Sequence, residues 1–191
     1  MSTGKPGAPA LPRSRSGRPH PGEYAAYAHA DIAAIPEDDA VDALHASRDR
    51  VLAVVTPLTD ARVAGVRYAP EKWTFKDLVG HLIDDERIYA YRALKLARGD
   101  DGALSGFDQV RYADAAASEA RPLADLLEEY RSVRAASITL FAGLGPEAWA
   151  RRGTLEGHDV TVRGLAFHIV GHEGHHLRLL RDRYLPLVSP V

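Results

Sequence analysis

No cysteine occurs among the 191 residues of the chain. That absence removes disulfides, cysteine-ligated zinc, iron–sulfur clusters and thiol nucleophiles, so any chemistry must come from histidine, carboxylate or a bound ion. Nor does any apolar run approach the ~20 residues that span a bilayer, and the start carries no apolar signal-peptide segment. The expectation is a soluble, cytoplasmic protein with no membrane partner. A basic excess is missing too. Residues 1–22 hold Lys5, Arg13, Arg15 and Arg18 and no acid, which leaves −6 on the remainder against −2 overall. A body this acidic lacks the footprint of a nucleic-acid-binding domain.

Those first 22 residues contain five prolines, four glycines and almost no large apolar side chain. Such a stretch cannot bury enough surface to offset its ordering entropy, and reads as a disordered tail that includes His20. Its prolines also deny it the amphipathic helix of a transit peptide. Residues 23–191 form a single domain, since apolar content is 46% and no repeat or second composition regime appears.

What is present is helical periodicity. A first long helix is predicted from about Asp38 to Val55, with Val41, Leu44, Val51, Leu52 and Val55 on one stripe and His45 in no evident functional place. A second begins at Thr74, which can cap with Asp77, and stops at Gly99. Its inner stripe holds Leu78, His81, Leu82, Asp85, Tyr89 and Leu96. An inward histidine and carboxylate, four residues apart, need a metal, water or each other as partners. Residues 99–121 form a connection too long for antiparallel neighbours in a bundle, and so suggest a crossover with a short helix near Asp108 to Ala116. A third helix starts at Pro122 and carries Leu123, Leu126, Leu127, Tyr130, Val133, Ile138 and Leu140. Residues 151–160 read as a loop or small hairpin with an exposed His158. The fourth helix is capped near Thr161 and runs to about Tyr184. Four long amphipathic helices and no convincing strand set make this an all-α, four-helix bundle.

The fourth helix carries LAFHIVGHEGHHLRLLRDRY, with four of the nine histidines inside nine residues. At 100° per residue, His168, His172, His175 and His176 fall within an arc of about 100°. His172 and His176, one turn apart, can offer two nitrogens to one ion. His81 is the best candidate for a third ligand. His175, at the edge of the arc, reads as a rim or supporting residue, and His168 as a ligand or packed neighbour.

The same letters satisfy H-E-x-x-H, the zinc-peptidase pattern in which the glutamate activates water. The surroundings do not support it: Leu179 stands where a metzincin turns on glycine, and no glutamate follows Glu173 to serve as a downstream ligand. A wider match lies in YAPEKWTFKDLVGHLIDDERIYAYRALKLARGD, the following GF, and VRGLAFHIVGHEGHHLRLLRDRYL. Between about Tyr24 and Leu185 the chain closely resembles the DinB-like family of damage-inducible metalloproteins. The resemblance implies a four-helix bundle with a long crossover between its second and third helices. It also implies a metal site of His81, His172 and His176, with His168 outside the ligand set. Relatives with known activity are metal-dependent thiol S-transferases and isomerases, and others are described as hydrolases. A small-molecule substrate, a low-molecular-weight thiol as co-substrate and a homodimer follow as expectations.

Three imidazoles leave open positions on a divalent ion, and suit zinc or nickel better than iron or manganese. Asp85 and Glu173 are the candidates for supporting groups beside the ligands. The alternatives to an enzyme are a non-catalytic metal-binding stress-response protein, a histidine-rich core without metal and, less favoured, the zinc peptidase.

Overall fold

The computed structural model describes residues 14–100 and 102–188. Short helix α1 (His29–Ala33) precedes α2 (Ala40–Val55), α3 (Asp60–Val63) and α4 (Phe75–Ala97). The long connection holds α5 (Gln109–Ala116), and α6 (Leu123–Ala142) and α7 (Pro146–Trp149) follow it. A two-stranded antiparallel hairpin, β1 (Arg152–Leu155) and β2 (His158–Thr161), leads into α8 (Val162–Leu179), which runs on as a wider π-type turn to Tyr184. Among the described residues no helix is long and apolar enough to cross a membrane.

Capping sets the helix starts. Asp39 accepts from the amides of Val41 and Asp42, Thr161 accepts from Gly164, and Thr74 and Asp77 form a reciprocal capping box. At the end of α4, Gly99 has φ 85°, the left-handed conformation that lets the chain leave the helix.

The bundle consists of α2, α4, α6 and α8. Helix α4 packs on α6 and α8, and α2 packs on the same two, so α2 lies diagonally across from α4. Contacts between α4 and α6 run in register from their starts: Lys76 reaches the carbonyl of Arg121, and Arg87 and Glu86 meet Glu129 and Arg134 farther along. The two helices are therefore parallel neighbours. A short loop cannot join them, which is why residues 98–122 must travel the length of the bundle, with α5 packed against α4 on the way.

The apolar core is divided in two. One cluster gathers Leu44, Tyr89, Leu96, Phe141, Trp149 and Phe167, and the other gathers Val55, Phe75, Leu82, Leu126, Tyr130 and Leu180. Between them each helix places buried polar residues: Ser47 on α2, Asp85 and Glu86 on α4, Arg134 and Ser137 on α6, Glu173 on α8. The stripe of α6 differs from the periodicity expectation. Val133, Ile138 and Leu140 are only half-buried, while Arg134 and Ser137 point inward, because the middle layer is polar.

The tail expectation also needs correction at its boundary. Residues 1–13 lie outside the described residues, but 14–22 pack on the body. Ser16 donates its amide to Asp39 and accepts at its hydroxyl from Ala40, and its carbonyl accepts from Arg163. Arg18 donates to the carbonyls of Ile32, Ile35 and Glu37 and lies over the Phe167 ring. Polar anchoring to backbone groups holds this segment in place, and apolar composition gives no sign of that.

Candidate metal centre

Helices α4 and α8 run antiparallel along their seam, and each presents one residue per turn to the other. His81, Asp85 and Tyr89 on α4 face His176, His172 and His168 on α8. The Nε2 atoms of His81 and His172 are 3.2 Å apart, and those of His172 and His176 are 3.1 Å apart. All three residues offer a nitrogen within 4.8 Å of the others. His172 turns its other nitrogen, Nδ1, to Asp85 Oδ2 at 3.2 Å. That contact places the Nδ1 proton against the carboxylate and leaves the Nε2 lone pair facing the other two rings, the usual back-side support of a metal-binding imidazole.

Electrostatics favour ligands that are ready to bind. Burial, reinforced by the neighbouring His172, pushes His81 down to about 4. Burial, then His172 and His81, pushes His176 down to about 2. Both rings are neutral at pH 7, and a metal binds the neutral form. For His172, burial acts downward but the Asp85 carboxylate outweighs it, and the net shift is upward. Asp85 shows the converse: burial raises it, and the His172 charge and hydrogen bond more than reverse that.

A divalent ion fits this donor set. Nitrogens bound at ~2.0–2.1 Å lie about 2.8–3.0 Å apart when cis on an octahedral ion and about 3.3–3.4 Å apart on a tetrahedral one, and the two observed spacings fall between these values. His176 Nδ1 is buried and meets no partner among the described residues, so the ring has not been claimed by a competing hydrogen bond on that side.

The other histidines divide cleanly. His168 is buried and lies flat against Tyr89, with ring centroids 3.8 Å apart, and burial lowers it to about 4. It acts as a packed wall of the site. His175 is exposed, 3.5 Å from Asp31 on α1, at the rim. His20, His45 and His158 are exposed. Glu173, beside His172 in sequence, turns the opposite way. Its carboxylate accepts from Ser47, Tyr130 and Arg134 inside the bundle. Of the two candidate supporting groups, Asp85 touches a ligand ring and Glu173 engages the core instead.

Two cavities flank the cluster. One, of about 460 Å³, reaches from Asp85 and His172 past Tyr89 to Arg92; the other, of about 310 Å³, lies between His176, Trp73, Tyr68 and Tyr184. Val110, at the start of α5, lines both. The crossover therefore covers the site as well as joining the helices. Sequence reading missed the Glu86–Arg134–Glu173 cluster. Its signal was present, because Arg134 falls at helical spacing between Tyr130 and Phe141, where an apolar residue belongs.

The DinB superfamily model matches residues 43–180, most of the chain and all four long helices. The chain belongs to the DinB superfamily. A search of curated protein sequences finds no match. Among solved structures, this DinB-superfamily chain is similar to YfiT from Bacillus subtilis, described as a probable metal-dependent hydrolase with an unusual four-helix bundle topology. The two share 17% identity over 78% of this chain and 83% of that one, with a TM-score of 0.66. At that identity the likeness establishes the shared fold: a four-helix bundle whose parallel neighbours are joined by a long crossover.

Proposed function

We propose that this DinB-superfamily protein is a metal-dependent enzyme, a thiol S-transferase or hydrolase acting on a small molecule, with His81, His172 and His176 as the ligands of one divalent ion. The observation that carries the reading is the convergence of three Nε2 atoms, one of them fixed from behind by Asp85. Zinc and nickel suit an all-imidazole set best. An ion held there supplies Lewis acidity and lowers the pKa of the water or thiol that takes an open position.

The chain's own residues perform the remaining tasks. Asp85 holds the Nδ1 proton of His172 and fixes the tautomer. Trp73 packs on His81, ring centroids 4.7 Å apart, and Tyr89 and His168 stack on the opposite side, so aromatic rings wall the cluster at both ends. The cavity toward Arg92 has the size of a small-molecule site. The proposed hydrolase chemistry is unlike that of an H-E-x-x-H peptidase, because the Glu173 carboxylate is occupied by Arg134, Tyr130 and Ser47.

Metal analysis of the purified, untagged protein tests the reading, followed by turnover with a panel of small thiols and electrophiles. About one ion per chain is expected, with sharp loss of ion in each of His81→Ala, His172→Ala and His176→Ala. Full occupancy in all three variants would place the ion elsewhere. An occupied site with no turnover on any thiol or ester would leave a metal-binding protein without catalysis.

A further inference from the structure

Among the described residues, the buried Lys and Arg side chains meet carboxylates, with one exception. Arg134 is held by Glu86 and Glu173, and Lys76 by Asp60. Arg92 on α4, only 4% exposed, meets no carboxylate among the described residues. One Nη donates to the carbonyl of Ser105, and the guanidinium lies over Tyr89 at 4.6 Å and Phe107 at 5.7 Å. No second acceptor for its N–H groups is found among the described residues, and none of its nitrogens is both enclosed and unpartnered, so the unpaired edge still reaches the cavities that Arg92 lines. A guanidinium taken out of water without a counter-charge is costly, and ring faces return only a part of that cost.

The position of Arg92 gives this vacancy a meaning. It lines the same cavity as Asp85 and His172, and also a second cavity of about 530 Å³ whose lining includes Arg87 and Lys95 and, among the described residues, no carboxylate. Three acids line the first cavity: Asp85, which is held by His172, and Asp108 and Glu156, which are both exposed. Asp108 is engaged with the amides of Val110 and Arg111 at the start of α5. Water screens such groups far more than it screens a buried guanidinium.

We propose that Arg92 anchors a carboxylate of the substrate or co-substrate whose reacting end lies at the histidine cluster. This rests on the metal-centre reading and deepens it by naming the ligand class: an extended organic acid, such as a carboxylate-bearing thiol. A planar fork with a free edge matches a carboxylate, and the acids at the cavity mouth disfavour a second negative group there. Seven residues separate Asp85 from Arg92 on α4, an axial rise of about 10 Å, so an extended ligand is needed to reach from one to the other.

Matched probes test this: 8-mercaptooctanoate and 8-mercaptooctanamide, titrated calorimetrically into zinc-loaded and chelator-treated full-length protein. The acid is expected to bind at least tenfold tighter than the amide to the wild type. Arg92→Met should abolish the difference and Arg92→Lys should keep part of it. In chelator-treated protein both probes weaken but the acid preference persists. Equal binding of acid and amide, or an undiminished preference in Arg92→Met, overturns the anchor. If Arg92→Met does not fold, the two probes on the wild type decide alone. Failure of the metal reading shows differently, as binding of both probes that is indifferent to chelation.

Discussion

Two buried polar clusters lie side by side in the middle layer of this bundle, and adjacent residues of α8 feed them. His172 faces α4 and joins His81, His176 and Asp85; Glu173 faces the interior and joins Arg134, Glu86, Tyr130 and Ser47. The second cluster is closed. Arg134 is fully buried, donates to both carboxylates and to the carbonyl of Leu44, and each Glu173 oxygen has at least two donors. The first is open: three imidazoles turn their Nε2 atoms toward one another beside two cavities. A polar group buried with all its partners locks helices together, whereas donors gathered without a partner wait for a ligand. The comparison supports a structural role for the closed cluster and is the ground for proposing chemistry at the open one.

The largest expected effect lies in the closed cluster. Arg134→Met leaves Glu86 and Glu173 buried without their cation, which should cost roughly 3–5 kcal/mol in urea unfolding at pH 7. The sign of the pH dependence follows. A buried carboxyl without a counter-charge favours its proton, so the folded-state pKa rises above the unfolded one. Stability is then retained at low pH and lost as pH rises through the raised pKa, so the deficit relative to wild type should shrink on acidification. A loss below about 1 kcal/mol, independent of pH, would show that the cluster does not lock the bundle.

The open cluster was far more legible in the sequence than the closed one, for a physical reason. Metal ligation requires particular residue types at particular spacing, so His172 and His176 at one helical turn and an inward His81 announce themselves. The capping box at Thr74, the stop at Gly99 and the crossover length were legible for the same reason: each rests on local chemistry. Arg134 and Glu86 have meaning only through partners 39 to 48 residues away. Helical spacing places Arg134 on the inner stripe with Tyr130 and Phe141, but nothing local names the carboxylates that meet it there. The segment 14–22 escaped composition because each of its main anchors has a backbone carbonyl or amide on one side, which every sequence supplies.

Asp85 sharpens the boundary between the clusters, since it is a buried acid like Glu86 yet contacts His172, one of the three proposed ligands. Asp85→Asn keeps the shape and an acceptor for His172 Nδ1 but removes the charge. We expect ion affinity to fall about 10–100-fold, measured by competition with a chromophoric chelator, while folding of the ion-free protein changes less than in Arg134→Met. Affinity within about twofold of wild type would make the His172–Asp85 contact a packing feature only.

The smallest expected effect on the ion comes from Glu173→Gln, the change that would be most damaging in an H-E-x-x-H peptidase. There the glutamate must reach the attacking water, and the amide would abolish turnover with the ion still in place. Here both carboxylate oxygens accept from Ser47, Tyr130 and Arg134. An amide has a single acceptor oxygen and must turn its NH2 toward donors, so its cost falls on folding, about 1–3 kcal/mol. Ion affinity should stay within about twofold, and any thiol-dependent turnover should decline only modestly, because the three Nε2 atoms and Asp85 are untouched. Peptidase activity in the wild type that vanishes in Glu173→Gln would reverse the assignment, placing chemistry in the cluster that geometry closes.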